Sequence, residues 1–310
     1  MDNNQQNIST PLLIFNAAIV ALIITMFFAI YEVLHKPVTN KLPSQAQSQR
    51  FTQLSLEAKA VYVFDVVKNR IIWKKNETAQ LPLASLTKLM TALTAIELVP
   101  KNSRITVRKE FLEEEGDMGI LSGETWKLKD LLDFSLMVSS NDGARSVASV
   151  VGALNLKIDD YDLGRKDFIT KMNTRAKELG LEQTYFINES GLDLGSVSGG
   201  YGSAENMSKL LQYILINKPE ILEVTKYKSW TIDSLTKKHM AENTNINAEK
   251  IHGLIASKTG YTQMAGGNLA LAFDASIGRP IIVVVLGSTQ EGRFRDVGLL
   301  VNATLEYIKE

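Results

Sequence analysis

The sequence of 310 residues contains no cysteine and only three histidines. The lack of cysteine excludes disulfide bonds, zinc–thiolate sites and a thiol nucleophile. His35, His239 and His252 do not form the His-x-x-x-His pattern of a helical zinc site, which argues against a metal-dependent hydrolase. Lys plus Arg and Asp plus Glu both number 34, so the formal net charge is zero and no global field favours binding of a nucleic acid.

Long uncharged apolar runs are also scarce, and the longest lies near the N-terminus. Residues 12–31 carry no charged side chain, and about 20 apolar residues suffice to cross a bilayer as a helix. A cleaved signal peptide is the alternative, but its apolar region spans only about 7–15 residues behind a basic segment, and residues 1–10 contain neither Lys nor Arg. We therefore expect a short tail at 1–11 and an uncleaved transmembrane anchor at 12–34.

The segment after the anchor is polar and is followed by a globular pattern. Residues 35–53 contain two prolines and several Ser and Gln residues, and we expect them to form a polar linker. Lys36 and Lys41 in this flank would by charge alone favour the cytoplasmic side. Large domains cross the membrane largely regardless of such charges, so these lysines do not fix the side on which the domain at 54–310 lies.

Strand-like segments lie at both ends of this domain, and helix-like segments lie between them. Alternating or strand-like runs, the first two suggesting a hairpin, occupy 60–65, 71–73, 254–258, 268–273 and 281–286. Helices are expected at 86–96, 128–136, 167–179, 203–217 and 293–308. Strands first and last with helices between predict an α+β fold, in which an antiparallel sheet carries a helical insertion.

A hydroxyl and an amine are three residues apart in the sequence Ser-Leu-Thr-Lys at 85–88. Positions i and i+3 share one face of a helix, so Lys88 could serve as the base for a Ser85 nucleophile. The pattern alone is weak, because about one or two such spacings are expected by chance in a chain of this length, and the same tetrapeptide recurs at 234–237. That copy lacks an apolar helical run behind it, and we interpret it as a strand or turn without a catalytic role.

The alternative for Ser85 is a structural helix N-cap, a position that serine often occupies. A capping box would then place Glu or Gln three residues later. Lys88 stands there instead, a cation at the positive end of the helix dipole, and a residue that violates a local rule without structural gain is a candidate for function. If Lys88 is buried, the loss of hydration and a second nearby cation would favour the neutral amine, which could act as a base.

Two further polar clusters follow predicted secondary structure. The sequence Ser-Ser-Asn at 139–141 comes where an apolar helix ends, although such residues also commonly stop one helix and cap the next. Lys258, Thr259 and Gly260 come at the end of a predicted strand, just before Tyr261. There Lys and Thr could bind a carboxylate, and Gly would let a substrate backbone approach closely. Alone, each cluster is explained at least as well by an ordinary turn.

The order and context of the three clusters together are specific. Ser-x-x-Lys, Ser-x-Asn and Lys-Thr-Gly occur in this order in penicillin-binding proteins and class A β-lactamases. Over residues 54–310 the sequence resembles the low-molecular-mass penicillin-binding proteins, which are serine D-alanyl-D-alanine carboxypeptidases. The resemblance includes the blocks at 61–65, 82–91, 139–142, 188–192 and 258–262. Only one predicted helix follows the last strand, which leaves no room for the β-rich C-terminal domain and amphipathic tail of many relatives. We expect the N-terminal span to replace that tail as the anchor.

The resemblance implies catalytic roles for four residues. Ser85 would attack the carbonyl of the penultimate D-alanine and form an acyl-enzyme, with Lys88 as the general base. Ser139 would relay the proton toward the leaving nitrogen. Asn141 would hold Lys88 and the substrate backbone through its amide.

The resemblance also implies the substrate-binding residues and the partners. Lys258 and Thr259, beside Gly260, would bind the terminal carboxylate of the substrate, and the backbone N–H groups of Ser85 and Tyr261 would bind the oxyanion. The implied partners are peptidoglycan stem peptides ending in D-Ala-D-Ala, β-lactam antibiotics as covalent inhibitors, and the membrane through the N-terminal helix. The catalytic domain would be extracytoplasmic, and no metal or organic cofactor is implied.

Three other functions are considered. A D,D-endopeptidase that cleaves peptidoglycan cross-links shares the fold and the residues and differs only in cleft shape. A class A β-lactamase needs a Glu-x-x-Leu-Asn loop for deacylation, and neither Glu178 nor Glu182 lies in such a pattern. A non-catalytic cell-wall-binding protein should carry a broken motif, whereas all three motifs are complete.

Overall fold

Strands from both ends of the domain pair in one five-stranded antiparallel sheet. The computed structural model describes residues 50–309, except 113, 114 and 117. The sheet contains β1 (Ala60–Asp65), β2 (Arg70–Lys75), β10 (Leu254–Thr262), β11 (Gly266–Asp274) and β12 (Pro280–Ser288). Their spatial order is β10-β11-β12-β1-β2, so the first strand pairs with the last. The predicted antiparallel sheet with a helical insertion is therefore confirmed.

The position of β12 explains why the last predicted strand is an unbroken apolar run. Alternate side chains of a strand point to opposite faces of the sheet. Val284 and Leu286 pack into a core shared with the helical insertion, whereas Val283 and Val285 pack into a second core beneath the last helix. A strand that is covered on both faces requires apolar residues at every position rather than at alternate ones.

The helical insertion occupies the chain between β2 and β10. The α-helices are α1 (Lys88–Leu98), α2 (Leu128–Met137), α3 (Asn141–Leu156), α4 (Tyr161–Glu178) and α5 (Ala204–Asn217), and α6 (Gly292–Lys309) follows β12. Segments of 3-10 helix occupy Ala84–Thr87, Lys109–Phe111 and Pro219–Lys226. The short strands are β3 (Leu81–Pro82), β6 (Tyr185–Phe186) and β7 (Gly200–Gly202) in one sheet, β4 (Arg104–Thr106) with β5 (Thr125–Lys127), and β8 (Ser229–Asp233) with β9 (Lys238–Glu242).

Two elements extend beyond their predicted bounds for local reasons. Helix α4 begins well before residue 167 because Asp160 caps it, with a side-chain oxygen that accepts the backbone N–H of Leu163 at 2.9 Å. Strand β10 does not stop near Lys258 as predicted, because it remains paired with β11 as far as Thr262. The Lys-Thr-Gly cluster consequently lies inside a paired strand and not at its end.

The predicted tail at 1–11 and anchor at 12–34 lie outside the described residues, and so does the predicted linker as far as residue 49. Phe51, near the end of that linker, is fully buried and stacks on Trp73 with ring centroids 5.7 Å apart. Across residues 50–309, apart from the three excluded positions, no helix is long and apolar enough to cross a bilayer.

Candidate active site

Ser85 lies in the 3-10 segment Ala84–Thr87, directly before α1. Its neighbour Ala84 has a φ of +47°, a left-handed conformation that is uncommon for a residue with a side chain. Such local strain is typical of sites where the surrounding structure fixes a functional group. Helix α1 begins at Lys88 with Thr87 as its N-cap. Ser85 is therefore not the N-cap of α1, and the capping alternative does not explain it.

The amine of Lys88 is buried among three oxygen atoms. Its Nζ lies 2.9 Å from Ser85 Oγ, 2.7 Å from Asn141 Oδ1 and 2.8 Å from the carbonyl oxygen of Ser190. The residue is only 2% exposed. In a neutral amine, the two N–H groups can be donated to the amide and carbonyl oxygens, which leaves the lone pair to face the Ser85 hydroxyl. This arrangement allows Lys88 to accept the proton of Ser85.

The Ser-Ser-Asn cluster joins α2 to α3, and its members occupy different positions. Ser140 is the N-cap of α3 and accepts a backbone N–H of that helix at 3.0 Å, so the capping alternative holds for this residue. Ser139 has a φ of +62°, a second left-handed residue beside the site. The side-chain N–H of Asn141 donates to the carbonyl of Glu115 at 2.6 Å, which orients the other end of the amide, Oδ1, toward Lys88.

Strand β10 places Lys258 beside the Ser-Ser-Asn cluster. Lys258 is 2% exposed, and its Nζ donates hydrogen bonds to Ser139 Oγ at 2.8 Å and to the carbonyl of Thr259 at 2.9 Å. Burial, together with the charges of Lys88 and Arg293, lowers the pKa of Lys258 well below its usual value. A buried amine next to other cations is a strong site for an anion, because a bound negative charge relieves both effects.

Gly260 allows β10 to pass directly beside Ser85. A Cβ atom at position 260 would lie 3.0 Å from the carbonyl oxygen of Leu83 and 3.1 Å from the backbone nitrogen of Ser85. These distances are shorter than ordinary van der Waals contacts, so a side chain would push the strand away. Tyr261 follows with 42% of its surface exposed. The backbone of residues 260 and 261 therefore borders the segment that carries the hydroxyl.

Ser190, Thr244 and Arg293 also contribute to this site. Ser190 lies in the block at 188–192, for which no role was predicted, and Thr244 and Arg293 lie in no motif. Ser190 participates through its carbonyl, which has no side-chain signature. The Thr244 hydroxyl lies 2.6 Å from the hydroxyl of Thr259, and Arg293 donates to the carbonyl of Gly260 at 2.6 Å. Of these three residues, only Arg293 has a feature in the sequence that could have identified it as a candidate, because it is a cation in the first turn of a helix.

The second Ser-Leu-Thr-Lys copy lies in the turn between β8 and β9, as predicted. Ser234 donates its hydroxyl to a carboxylate oxygen of Glu124 at 2.6 Å and accepts the backbone N–H of Lys237 at 2.9 Å. His239 shares the same Glu124 oxygen at 2.6 Å. Because Lys237 is exposed, this copy does not reproduce the buried amine of Lys88.

Comparison with known sequences identifies related proteins. A family model described as D-alanyl-D-alanine carboxypeptidase matches residues 45–290. The D-alanyl-D-alanine carboxypeptidase DacF of Bacillus subtilis is 28% identical over 257 residues, which cover 81% of this chain and 62% of that protein. A D-alanyl-D-alanine endopeptidase of Haemophilus influenzae is 31% identical over 222 residues, which cover 68% of this chain and 69% of that protein. The chain thus spans less than two thirds of the first relative and slightly more than two thirds of the second.

Solved structures share the fold. Penicillin-Binding Protein D2 from Listeria monocytogenes, in its ampicillin-bound form, matches with a TM-score of 0.69 and 29% identity, and the match covers 81% of this chain and 98% of that one. A D-alanyl-D-alanine carboxypeptidase from Mycobacterium tuberculosis matches with a TM-score of 0.71 and 24% identity over 82% of this chain and 92% of that one. The second match bears on the fold alone.

Proposed function

The chain belongs to the D-alanyl-D-alanine carboxypeptidase family, and we infer that it is a serine D,D-peptidase that removes the terminal D-alanine from peptidoglycan stem peptides. The observation that carries this proposal is the contact of 2.9 Å between the buried Nζ of Lys88 and the Oγ of Ser85. A serine hydroxyl is a weak nucleophile until an adjacent base removes its proton. Lys88 is within hydrogen-bond distance of Ser85, in a site that also holds a second buried lysine for the substrate carboxylate.

In the acylation step, Ser85 Oγ bonds to the carbonyl carbon of the penultimate D-alanine while its proton passes to the neutral amine of Lys88. The charge that develops on the carbonyl oxygen is stabilised by the backbone N–H groups of Ser85 and Tyr261, at about 3–4 kcal/mol per donor in comparable sites. The C–N bond to the terminal D-alanine then breaks as its nitrogen receives a proton through Ser139. The product is an ester between the shortened stem peptide and Ser85.

In the deacylation step, water attacks the ester carbonyl and gives a proton to Lys88. The tetrahedral intermediate collapses, the shortened peptide leaves with a free carboxylate, and the proton returns to Ser85 Oγ. Asn141 holds the Lys88 amine in place throughout, because its own amide is anchored on the carbonyl of Glu115. The cycle requires no group beyond the side chains, the backbone and water.

The terminal carboxylate of the substrate is bound by Lys258 and Thr259. The Thr259 hydroxyl, which lies 2.6 Å from the hydroxyl of Thr244, can turn to donate to the carboxylate, and the Lys258 ammonium supplies the charge. A β-lactam offers a strained amide and a carboxylate to the same two positions, so we propose that it acylates Ser85 as a covalent inhibitor. The ampicillin- and cefotaxime-bound forms of the Listeria monocytogenes protein support this proposal.

A D,D-endopeptidase is the second candidate, and the relative from Haemophilus influenzae favours it, since it is 31% identical and is named an endopeptidase. Both reactions use the same acyl-enzyme. They differ in the leaving group, which is free D-alanine for a carboxypeptidase and a second stem peptide for an endopeptidase.

The experiment that tests the function gives the full chain two substrates at equal concentration. One is a pentapeptide ending in D-Ala-D-Ala and the other is a cross-linked stem dimer, with the Ser85→Ala variant as the control. A carboxypeptidase releases D-alanine from the first with the larger kcat/KM, whereas preferential cleavage of the dimer would assign the endopeptidase. Product from neither substrate, or equal product from the Ser85→Ala variant, would contradict the proposal.

We also propose a single-pass membrane anchor at residues 12–34 with the catalytic domain on the extracytoplasmic side. The uncharged apolar run at 12–31 and the location of peptidoglycan outside the membrane support this topology. Protease added to intact spheroplasts should degrade the domain while the fluorescence of a reporter fused to the N-terminus survives. Protection of the domain would refute the orientation, and recovery of the full chain in the soluble fraction would refute the anchor.

A further inference from the structure

Arg293 is a buried cation in an unfavourable place. It lies in the first turn of α6, where the helix dipole is positive and which contains no acidic residue. The residue is only 8% exposed. Among the described residues, its guanidinium forms no ion pair with a carboxylate, whereas Arg295 two positions later pairs with Glu57 at 2.8 Å. A buried charge that costs stability and forms no ion pair is a candidate for function.

The guanidinium of Arg293 makes one close polar contact within the described chain. Its Nη1 donates to the backbone carbonyl of Gly260 at 2.6 Å. The aliphatic part of the Arg293 side chain reaches the Gly260 carbonyl along β11, where Gly267 leaves room for it. A Cβ at position 267 would lie 3.2 Å from Cδ of Arg293 and 2.0 Å from the carbonyl oxygen of Thr289. The structure therefore accommodates the arginine so that it reaches this carbonyl.

The carbonyl of Gly260 and the N–H of Tyr261 belong to one rigid peptide unit. The peptide bond is trans, so the two groups point in opposite directions, and a partner that fixes one also fixes the other. Strand β10 is the edge strand of the sheet, which leaves one of its sides without a neighbouring strand. By holding the carbonyl, Arg293 directs the N–H of Tyr261 away from itself, while the adjacent Gly260 lies against the backbone nitrogen of Ser85.

We propose that Arg293 is a positioning residue that fixes the Gly260–Tyr261 peptide so that the N–H of Tyr261 faces the oxyanion. The inference rests on the proposed acylation of Ser85. Arg293 acts through the peptide and does not touch the substrate. Its role is to hold a donor where charge develops, which contributes to the rate only if the donor is oriented before the reaction.

The charge of Arg293 has a second consequence that is compatible with this role. It is one of the causes, after burial and Lys88, that lower the pKa of Lys258. A variant that removes the charge can therefore also change the binding of the substrate carboxylate. The test has to separate an effect on the acylation step from an effect on carboxylate binding.

The experiment compares benzylpenicillin with its methyl ester, which lacks the carboxylate, on the full chain. The primary variant is Arg293→Met, because Met keeps most of the buried stem and removes every donor. The control is Arg295→Ala, an arginine of the same helix that is paired at the surface. The measurements are the acylation rate constant k2, the dissociation constant of the non-covalent complex, the fraction of chains labelled at Ser85 by mass spectrometry, and Tm.

We expect Arg293→Met to lower k2 by about 10–100-fold for both compounds, somewhat less than the loss of an entire oxyanion donor in comparable sites. The dissociation constant for the ester should stay within about twofold of the parent value, because that compound has no carboxylate to respond to the lost charge. Arg293→Lys should restore part of k2, since its ammonium can donate to the same carbonyl. Arg295→Ala should acylate like the parent protein.

Any other outcome contradicts the positioning role of Arg293, and each such outcome has a different explanation. An unchanged k2 in folded Arg293→Met excludes the positioning role. Slower acylation by benzylpenicillin but not by its methyl ester would assign Arg293 to binding of the carboxylate instead. If Arg293→Met does not fold, Arg293→Gln decides by the same comparison, because its amide stops short of the Gly260 carbonyl. If the parent protein is not labelled at Ser85, the proposed function itself fails. If the parent protein is labelled and the Arg293 variant is acylated equally fast, only the positioning role fails.

Discussion

Lys258 donates a hydrogen bond of 2.8 Å to the hydroxyl of Ser139, although 119 positions separate the two residues in the chain. Ser139 follows α2, and Lys258 lies inside β10. The contact joins the helical insertion to the edge of the sheet, and Asn141, two residues after Ser139, reaches the amine of Lys88. One polar network thus connects all three sequence clusters.

The first prediction concerns the pH dependence of substrate binding. Burial and two neighbouring cations lower the pKa of Lys258 well below its usual value of 10.5. The ammonium therefore loses its proton, and its attraction for a carboxylate, as the pH rises through this lowered value. We expect KM for a D-Ala-D-Ala pentapeptide to increase with pH over a range that lies below 10.5. Steady-state kinetics at constant ionic strength measure this change.

Lys258→Arg is the matched control, because a guanidinium stays charged over the whole range. In this variant KM should be nearly independent of pH, whatever its absolute value. An equal rise of KM in the variant and in the parent protein would assign the effect to another group.

The second prediction uses the close approach of β10 to Ser85. In Gly260→Ala the new Cβ would lie 3.0 Å from the Leu83 carbonyl and 3.1 Å from the nitrogen of Ser85, so the strand must move away. We expect acylation by a β-lactam to slow by about 10–100-fold, as small misplacements do in other active sites. Stopped-flow measurement of k2 tests this.

Gly298→Ala provides the control for the second prediction, because a Cβ there meets nothing within 4 Å. Position 298 lies in α6, where alanine should stabilise the helix by about 0.5–1 kcal/mol and leave acylation unchanged. Unaltered acylation by Gly260→Ala would show that the strand has room for a side chain.

The third prediction concerns stability. Asp133 of α2 is 7% exposed, and burial raises the pKa of its carboxyl to about 6 even though Lys129 lies 2.5 Å away. This value is above the unfolded value of 3.8, so the folded protein binds the extra proton between these two pH values, and its stability falls as the pH rises through the interval. A side chain that cannot ionise at position 133 does not cause this loss of stability as the pH rises.

We therefore expect Asp133→Asn to stabilise the protein more at pH 8 than at pH 5, by a difference of about 1 kcal/mol. Urea unfolding at the two pH values measures the free energy of unfolding of the variant and the parent protein. A gain that does not depend on pH would indicate that Asp133 is already charged at the lower pH.

Much of the fold could be predicted from the sequence because local patterns agree with the final structure. The strand-like runs predicted at both ends of the domain correspond to β1, β2, β10, β11 and β12. Bounds were predicted least well where a single contact decides them. The Asp160 cap lengthens α4, and continued pairing as far as Thr262 lengthens β10, and neither contact produces a periodic pattern.

The residues of the candidate site that belong to the three motifs could be predicted, whereas the roles of Ser190, Thr244 and Arg293 could not. The sequence distinguishes Ser85 from Ser234 by the apolar run that follows the first copy, and the structure places only the first beside a buried amine. The carbonyl of Ser190 could not be predicted, because a backbone group is available at every residue. Arg293 could not be assigned to Gly260 either, since that contact depends on how α6 docks on the sheet.

The most direct test of the central claim is covalent labelling of the full chain with a fluorescent penicillin, followed by mass spectrometry of the labelled peptide. The parent protein and Ser234→Ala should carry the label on Ser85, and Ser85→Ala should carry none. A label on Ser85→Ala equal to that on the parent protein, or loss of the label in a folded Ser234→Ala variant, would contradict the assignment of Ser85 as the nucleophile.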